Sequence, residues 1–314
     1  MPGTLPFVLA GEALVDIVVP TDGDEERAPG GSPLNVAVGL ARLGLDTLLI
    51  TELGDDELGQ LVLDHVVSSG VRLDEGSVEA GRATSTATAR LDERHAATYD
   101  FDLSWDLGRR ILPTHALGLH VGSIGAALRP GRDAVVDLVA QAVAADIFVS
   151  FDPNARPAFL PAPAQAHADL LEIAASAQLV KLSDEDIELL APGRTPAELA
   201  ADLLAASDRT RLVVVTHGGT AAEAYTRTDS VRVASTQAQV VDTVGAGDSF
   251  MAALIAVVLD WGPDLDTARL RAMLTAAHTV AAITCGRRGA DHRHVGSCRP
   301  PGRSAERPMR RPTA

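Results

Sequence analysis

The sequence predicts an α/β protein, a mainly parallel sheet covered by helices on both faces, with a second and smaller sheet beside it. Strand-like and helix-like segments alternate along most of the 314 residues, the pattern of a parallel sheet whose crossovers are helices. A hydrophobic content of 46% supplies a large core, and the length suits one α/β unit with a small appendage. The alternation breaks once, at about residues 82–105. There 84–91 and 97–103 alternate with period two around the turn-like 92–95, as a hairpin outside the α/β order does.

Taken in order, Val8 to Asp16 is an apolar strand that ends in a carboxylate. Ligands bind beyond the carboxyl ends of strands in open α/β sheets, so Asp16 is either a substrate contact or a solvated strand end. Next comes Gly30-Gly31-Ser32-Pro33-Leu34-Asn35. Ser32 reads as an N-cap and Pro33 as the first helical residue. Bare backbone at Gly30 and Gly31 lets a ligand approach closely. The Asn35 amide both donates and accepts, which suits a polyol, although a capping partner would use the same residue. Further strands fall at 47–51, 117–121, 147–151, 179–182 and 212–216, and helices at 57–68, 132–144, 166–175 and 196–205. The hairpin, joined by 16–19, is expected to form the small sheet at the strand C-termini, with segments 12–30 and 82–105 as a lid. A lid keeps water from a reacting phosphoryl group.

The most informative stretch is Asp242-Thr243-Val244-Gly245-Ala246-Gly247-Asp248, followed by an apolar helix over 251–259. Glycines at a helix N-terminus let main-chain N–H groups converge on an anion that the dipole already favours. Gly245, Ala246 and Gly247 would form that cradle. Asp248 beside it could take a proton from a substrate hydroxyl. A tight turn before a buried helix is the plainer reading.

Signals for a nucleotide are weaker. Thr216, Gly218 and Gly219 end a β-branched strand in a form suited to phosphate contacts. Lys181 is the chain's one lysine and a candidate phosphate contact. Ser183 to Asp186 reads equally as a capped, acid-rich helix start.

A formal charge of −15 excludes nucleic acid and anionic membrane as partners. Residues 286–314 carry eight Arg against two acids, which leaves the preceding chain near −21. Two cysteines and no secretory signal suggest a reducing, cytoplasmic setting without disulfides. The 250–259 run is too short to span a bilayer, and no dedicated metal site is expected from His292, His294 and Cys298. After Asp291 the Arg/Pro-rich 292–314 segment lacks apolar periodicity and is expected to be disordered.

Over about residues 5 to 291 the chain resembles the ribokinase-like (PfkB) carbohydrate kinases, and within them the fructokinase branch. The D-T-x-G-A-G-D signature stands at Asp242 to Asp248, and the glycine followed four residues on by Asn stands at Gly31 and Asn35. The openings Gly11-Glu12-Ala13-Leu14-Val15-Asp16 and Phe151-Asp152-Pro153-Asn154-Ala155-Arg156 resemble fructokinases and their acid-sugar relatives. The resemblance implies a three-layer α/β/α core for residues 1–291, ATP and Mg²⁺ as cofactors and a small sugar as substrate. Fructose leads, 2-keto-3-deoxygluconate is the alternative, and Arg156 could pair with a carboxylate or phosphate. Asp248 would be the base, Gly245 to Gly247 the anion hole, and Asp16, Gly30, Gly31 and Asn35 the sugar site.

The family's Asn and Glu, which organise Mg²⁺ through water, correspond here to Ser183 and Asp186, a departure that puts those roles in doubt. His278 stands where some relatives have Asn, as a packed histidine or an adenine contact. Asp242 would hold the potassium ion of the cation-dependent members. Relatives often pair through their lids, so a homodimer is the partner expectation. A rival reading is a non-catalytic sugar or nucleotide sensor that has kept the fold.

Overall fold

The computed structural model describes residues 5–21, 23–91, 97–236 and 241–286. The expected hairpin turn at 92–95 and the Arg/Pro-rich segment 292–314 lie outside the described residues. The chain begins with β1 (Phe7–Ala10), β2 (Leu14–Val19), β3 (Glu26–Gly30), α1 (Ser32–Arg42), β4 (Thr47–Ile50), β5 (Leu53–Gly54) and α2 (Glu57–Ser68). Then come β6 (Arg72–Leu73), β7 (Val78–Glu79), β8 (Thr86–Leu91), β9 (Ala97–Asp102), β10 (Gly118–Gly122), α3 (Gly131–Ala144) and β11 (Phe148–Asp152). It continues through α4 (Pro163–Ala174), β12 (Leu179–Ser183), α5 (Asp184–Leu190), α6 (Pro196–Ala206), β13 (Leu212–His217), β14 (Ala221–Tyr225), β15 (Ser230–Ala234), α7 (Ala246–Trp261) and α8 (Thr267–Cys285).

Nine strands form the main sheet in the order β15-β14-β13-β12-β11-β10-β1-β4-β6. From β6 to β13 all neighbours are parallel, because helical crossovers return the chain to the same edge each time. Only β14 and β15 run antiparallel. Side chains alternate between two buried faces. Phe7, Leu9, Leu179, Leu212 and Val214 pack with α1, α7 and α8, while Val8, Ala10, Val180, Val213 and Val215 pack with α3, α4 and α6. The α/β/α layering expected from the alternation is thus the observed one.

Two differences from the sequence reading have local causes. Helix α4 begins at Pro163, three residues ahead of expectation, since proline presets the first-turn φ. Strands β14 and β15 were not anticipated. Ala221, Ala222, Glu223 and Ala224 have low strand propensity, and pairing along β13 determines their conformation.

The small sheet has the order β3-β2-β8-β9. Asp16 is in register with Ala28 on β3 and Ala87 on β8, and Ala87 with Phe101 on β9, so these four share one face. Phe101 stacks on Tyr99 with centroids 6.1 Å apart and meets the edge of Phe159 at 5.0 Å. Phe159 belongs to the segment that follows Arg156, which ties this face to the sheet's C-terminal edge. The roots of the hairpin are held by acids. Glu52 accepts from Ser104 Oγ at 3.0 Å, Asp106 N at 2.5 Å and Arg82, and Asp56 accepts from Thr84 N and Oγ1 at 2.9 and 2.6 Å.

Candidate active site

Gly245 caps α7 in a left-handed conformation, φ 74°, with no side-chain cap. The first-turn N–H groups of a helix have no intrahelical acceptor, so those of Gly247 and Asp248 are donors to whatever lies beyond. A Cβ on Gly247 would have Lys181 Nζ, 3.7 Å away, as its nearest neighbour. The helix start is therefore an open cradle with a cation at its floor. Asp248 is buried on that first turn. Its Oδ1 accepts from Ser32 Oγ at 2.6 Å and its Oδ2 from Asn35 Nδ2 at 2.8 Å. Burial pushes its carboxyl above the ordinary value, against the pull of Ser32, Asn35, Lys181 and Arg156.

Those contacts revise the reading of α1. The N-cap is Gly31, not Ser32, and Ser32 already has helical geometry. Its hydroxyl is spent on Asp248 rather than on its own helix, and Pro33 follows as the second helical residue. Asn35 commits its amide N–H to the same carboxylate, which leaves its amide oxygen for a ligand. The glycine pair is required by the protein's own packing. A Cβ on Gly30 would collide with the Asp16 carboxylate, and one on Gly31, at φ 110°, would meet the Glu12 carbonyl at 2.5 Å. Gly31→Ala is thus expected to destabilise the fold by roughly 1–3 kcal/mol and to displace Ser32. Chemical denaturation measures the first effect, and an unchanged midpoint would refute the strain.

Asp16 lies across from Asp248. Burial raises its carboxyl to about 6, with Arg156 lowering and Asp248 raising it. Arg156 is exposed at the rim, close enough for its charge to act on both acids. Behind them Lys181 Nζ donates to Asp152 Oδ2 at 2.7 Å, with both side chains buried. Burial also raises Asp152 to about 6 despite Lys181. A buried carboxyl with a raised pKa can accept a proton only when ionised. Were Asp248 to take a proton from substrate, kcat/KM would fall at a pH above the range of an ordinary aspartate, near 3.9, with Asp16, raised to about 6, titrating in the same acid limb. A pH–rate profile flat from 5 to 8 would contradict this.

At the end of β12, Ser183 and Asp186 form a reciprocal capping box at α5. Asp186 accepts from Ser183 N at 2.7 Å, Ser183 Oγ at 2.8 Å and Ala155 N at 2.6 Å. Both of its oxygens thus serve protein donors, so its geometry is that of a helix cap, whereas Glu185 is exposed and Asp184 lies 3.5 Å from His217 Nδ1. Thr216 Oγ1 lies 3.4 Å from the Leu182 carbonyl. Gly218, at φ 49°, and Gly219 have nothing within 4 Å of a Cβ position, so their backbone is open to a ligand. His278 is packed: Nε2 lies 3.3 Å from the Val233 carbonyl, and the ring meets the edge of Phe250 at 5.2 Å. Asp242 Oδ1 accepts from Val244 N at 3.0 Å, and its own N donates to the Cys285 carbonyl at 3.2 Å.

Sequence reasoning passed over Glu12, Asp152 and the Asp248 contact of Ser32. Glu12 and Asp152 stand inside motifs already singled out, next to residues that were assigned roles. Among the described residues no helix is long and apolar enough to cross a membrane, and no group of three or more His, Cys, Asp or Glu could hold a metal ion.

A buried carboxylate beside an open helix N-terminus, at the C-terminal edge of a parallel sheet and next to a small second sheet, suits phosphoryl transfer onto an alcohol oxygen. Residues 7–294 match the pfkB family of carbohydrate kinases, and the chain belongs to that family. It is 32% identical over 286 residues to fructokinase of Klebsiella pneumoniae, covering 89% of this chain and 93% of that one. With a probable chloroplastic fructokinase-6 of Arabidopsis thaliana it shares 31% over 307 residues, 91% of this chain and 79% of the relative. Fructokinase with bound ATP from Xylella fastidiosa superposes with a TM-score of 0.76 at 26% identity, over 91% of this chain and 93% of the other. Fructokinase from Vibrio cholerae O395 with fructose, ADP and calcium gives 0.74 at 25%, over 90% and 94%.

Proposed function

We propose that this carbohydrate kinase transfers the γ-phosphoryl group of ATP to a primary hydroxyl of fructose. The observation that carries the chemistry is Asp248, buried, oriented by Ser32 and Asn35, and set on the open first turn of α7. Asp248 takes the hydroxyl proton, and the sugar oxygen attacks phosphorus in line with the departing ADP oxygen. The N–H groups of Gly245, Gly247 and Asp248 stabilise charge on the transferring oxygens, while that of Ala246 holds the turn through the Thr243 carbonyl at 3.2 Å. Asp16 and the Asn35 amide oxygen orient sugar hydroxyls, and Arg156 offers a cation at the rim. Lys181 lies beneath the cradle as a phosphate contact, while Thr216, Gly218 and Gly219 offer open backbone to the nucleotide.

Mg²⁺, held through water beside the acidic first turn of α5 that includes Asp186, would neutralise phosphate charge. Asp242 would hold a monovalent cation near the end of α8, and pairing through the lids belongs to the same reading. The choice of fructose follows the similar proteins named fructokinase.

Turnover with ATP and Mg²⁺ on a sugar panel tests the reading, with the product located by phosphorus NMR. Fructose phosphorylated at a primary carbon is the expected product. Preference for 2-keto-3-deoxygluconate by tenfold in kcat/KM would overturn the substrate, and absence of turnover on every sugar would favour a sensor.

A further inference from the structure

The segment Asp152-Pro153-Asn154-Ala155-Arg156 leaves the end of β11, and two buried carboxylates pin its main chain. Asp152 Oδ1 accepts from Asn154 N at 3.2 Å, in a turn where Asn154 has the left-handed φ of 36°. One residue on, Ala155 N donates to Asp186 Oδ1 at 2.6 Å. Asp186 belongs to a different element, the first turn of α5, and its Oδ2 accepts from Ser183 N at 2.7 Å and Ser183 Oγ at 2.8 Å. It is 3% exposed. A buried carboxylate is costly without donors, and here they are divided, two from the start of α5 and one from the loop after β11. One side chain therefore ties together two loops at the C-terminal edge of the parallel sheet. Ser183 also ends β12, the strand that carries Lys181. The far side of Arg156 is fixed as well: Phe159 meets the edge of Phe101 on β9 with centroids 5.0 Å apart, and Phe101 shares the sheet face of Asp16. Arg156 thus stands between a polar anchor behind it and an aromatic anchor ahead. Among the described residues its guanidinium meets only the Ala155 carbonyl, 3.4 Å from Nη1, so its head is open to a ligand.

We propose that Asp186 is a positioning residue for sugar phosphorylation, holding Arg156 at the substrate through the Ala155 peptide and in register with Lys181. The inference rests on the sugar-kinase reading above. An asparagine at position 186 keeps the shape but has one acceptor oxygen, which can serve Ser183 N or Ala155 N and not both. The test is steady-state kinetics with fructose and ATP at varied Mg²⁺ on Asp186→Asn, Arg156→Ala and the double variant, together with hydrogen exchange at the Ala155 amide. Misplacement of a group by about 1 Å costs on the order of 10²-fold. Asp186→Asn is therefore expected to lower kcat/KM for fructose by about that factor, to speed exchange at Ala155, and to leave half-saturation by Mg²⁺ unchanged. Because the effect passes through Arg156, the Asn substitution should lose most of it in the Arg156→Ala background.

Effects that simply multiply would show Asp186 to be a cap for α5 and nothing more. A raised Mg²⁺ requirement with kcat/KM for fructose unchanged would give it to the metal instead, and either result overturns the proposal. Should Asp186→Asn fail to fold, Asp186→Glu decides. It keeps the charge, but its carboxylate stands one methylene further out and cannot hold both the cap and the Ala155 bond in place. Unchanged kcat/KM for fructose there, or exchange at Ala155 as slow as in wild type, overturns the proposal. The two assignments fail separately. A wild-type protein that phosphorylates no sugar removes the kinase reading, whereas turnover indifferent to Asp186→Asn removes only the role of Asp186.

Discussion

Asp248→Asn is expected to lower kcat by about 10²–10⁴-fold, the contribution of a positioned general base, while sugar and ATP bind nearly as before. The amide matches the carboxylate in shape. The Ser32 hydroxyl can rotate to accept from the new NH₂, and Asn35 can still donate to the remaining oxygen, so the two contacts at 2.6 and 2.8 Å have partners in the variant. What is lost is the ability to take a proton at the moment the sugar oxygen attacks. Steady-state kinetics together with calorimetric binding of each ligand separates the two effects. A variant that retains more than half of the wild-type kcat would remove Asp248 from that role.

Lys181→Met is expected to destabilise the folded state by about 3–5 kcal/mol, the usual cost of breaking a buried ion pair from one side. Lys181 is 4% and Asp152 1% exposed, and Asp186 and Asp248 both act on the pair. Without the ammonium, three acids share a water-poor space. Asp152, already raised to about 6, would then hold its proton to still higher pH. A carboxyl whose folded pKa exceeds its unfolded value contributes stability below the unfolded pKa and loses it as pH rises through the folded one. The variant should therefore be closer to wild type at pH 5 than at pH 8. Lys181 itself has a raised pKa, above 10.5, and is protonated throughout that window. Urea denaturation at the two pH values measures this, and equal midpoints for variant and wild type at pH 8 would refute it. Asp152→Asn in the Lys181→Met background, which removes the stranded charge, should recover part of the loss.

The elements that bear the chemistry were legible because their causes are local. Gly245 and Gly247 before an apolar run give α7 its open N-terminus whatever surrounds it, and Gly31-Ser32-Pro33 places the start of α1 within a residue. The alternation of apolar segments with amphipathic ones likewise determines the parallel sheet, since only helical crossovers can join its strands. β14 escaped because its alanine-rich residues become a strand only when β13 offers hydrogen bonds, and β15 because its five residues pair in turn with β14 alone.

The sequence by itself therefore determined the α/β class, the pairing of β8 with β9, the glycine-opened start of α7 and the acid on its first turn. Tertiary structure alone decided which donors hold that acid. Ser32 looks like a cap from its neighbours, yet its hydroxyl turns to a carboxylate 216 residues away. Glu12 takes its donor from Gly125, 113 residues on, and Asp152 gains its partner from a strand 29 residues on. Local propensity is written in adjacent residues, whereas the desolvation that makes a buried carboxylate seek donors exists only after the sheet and its helices have closed over it.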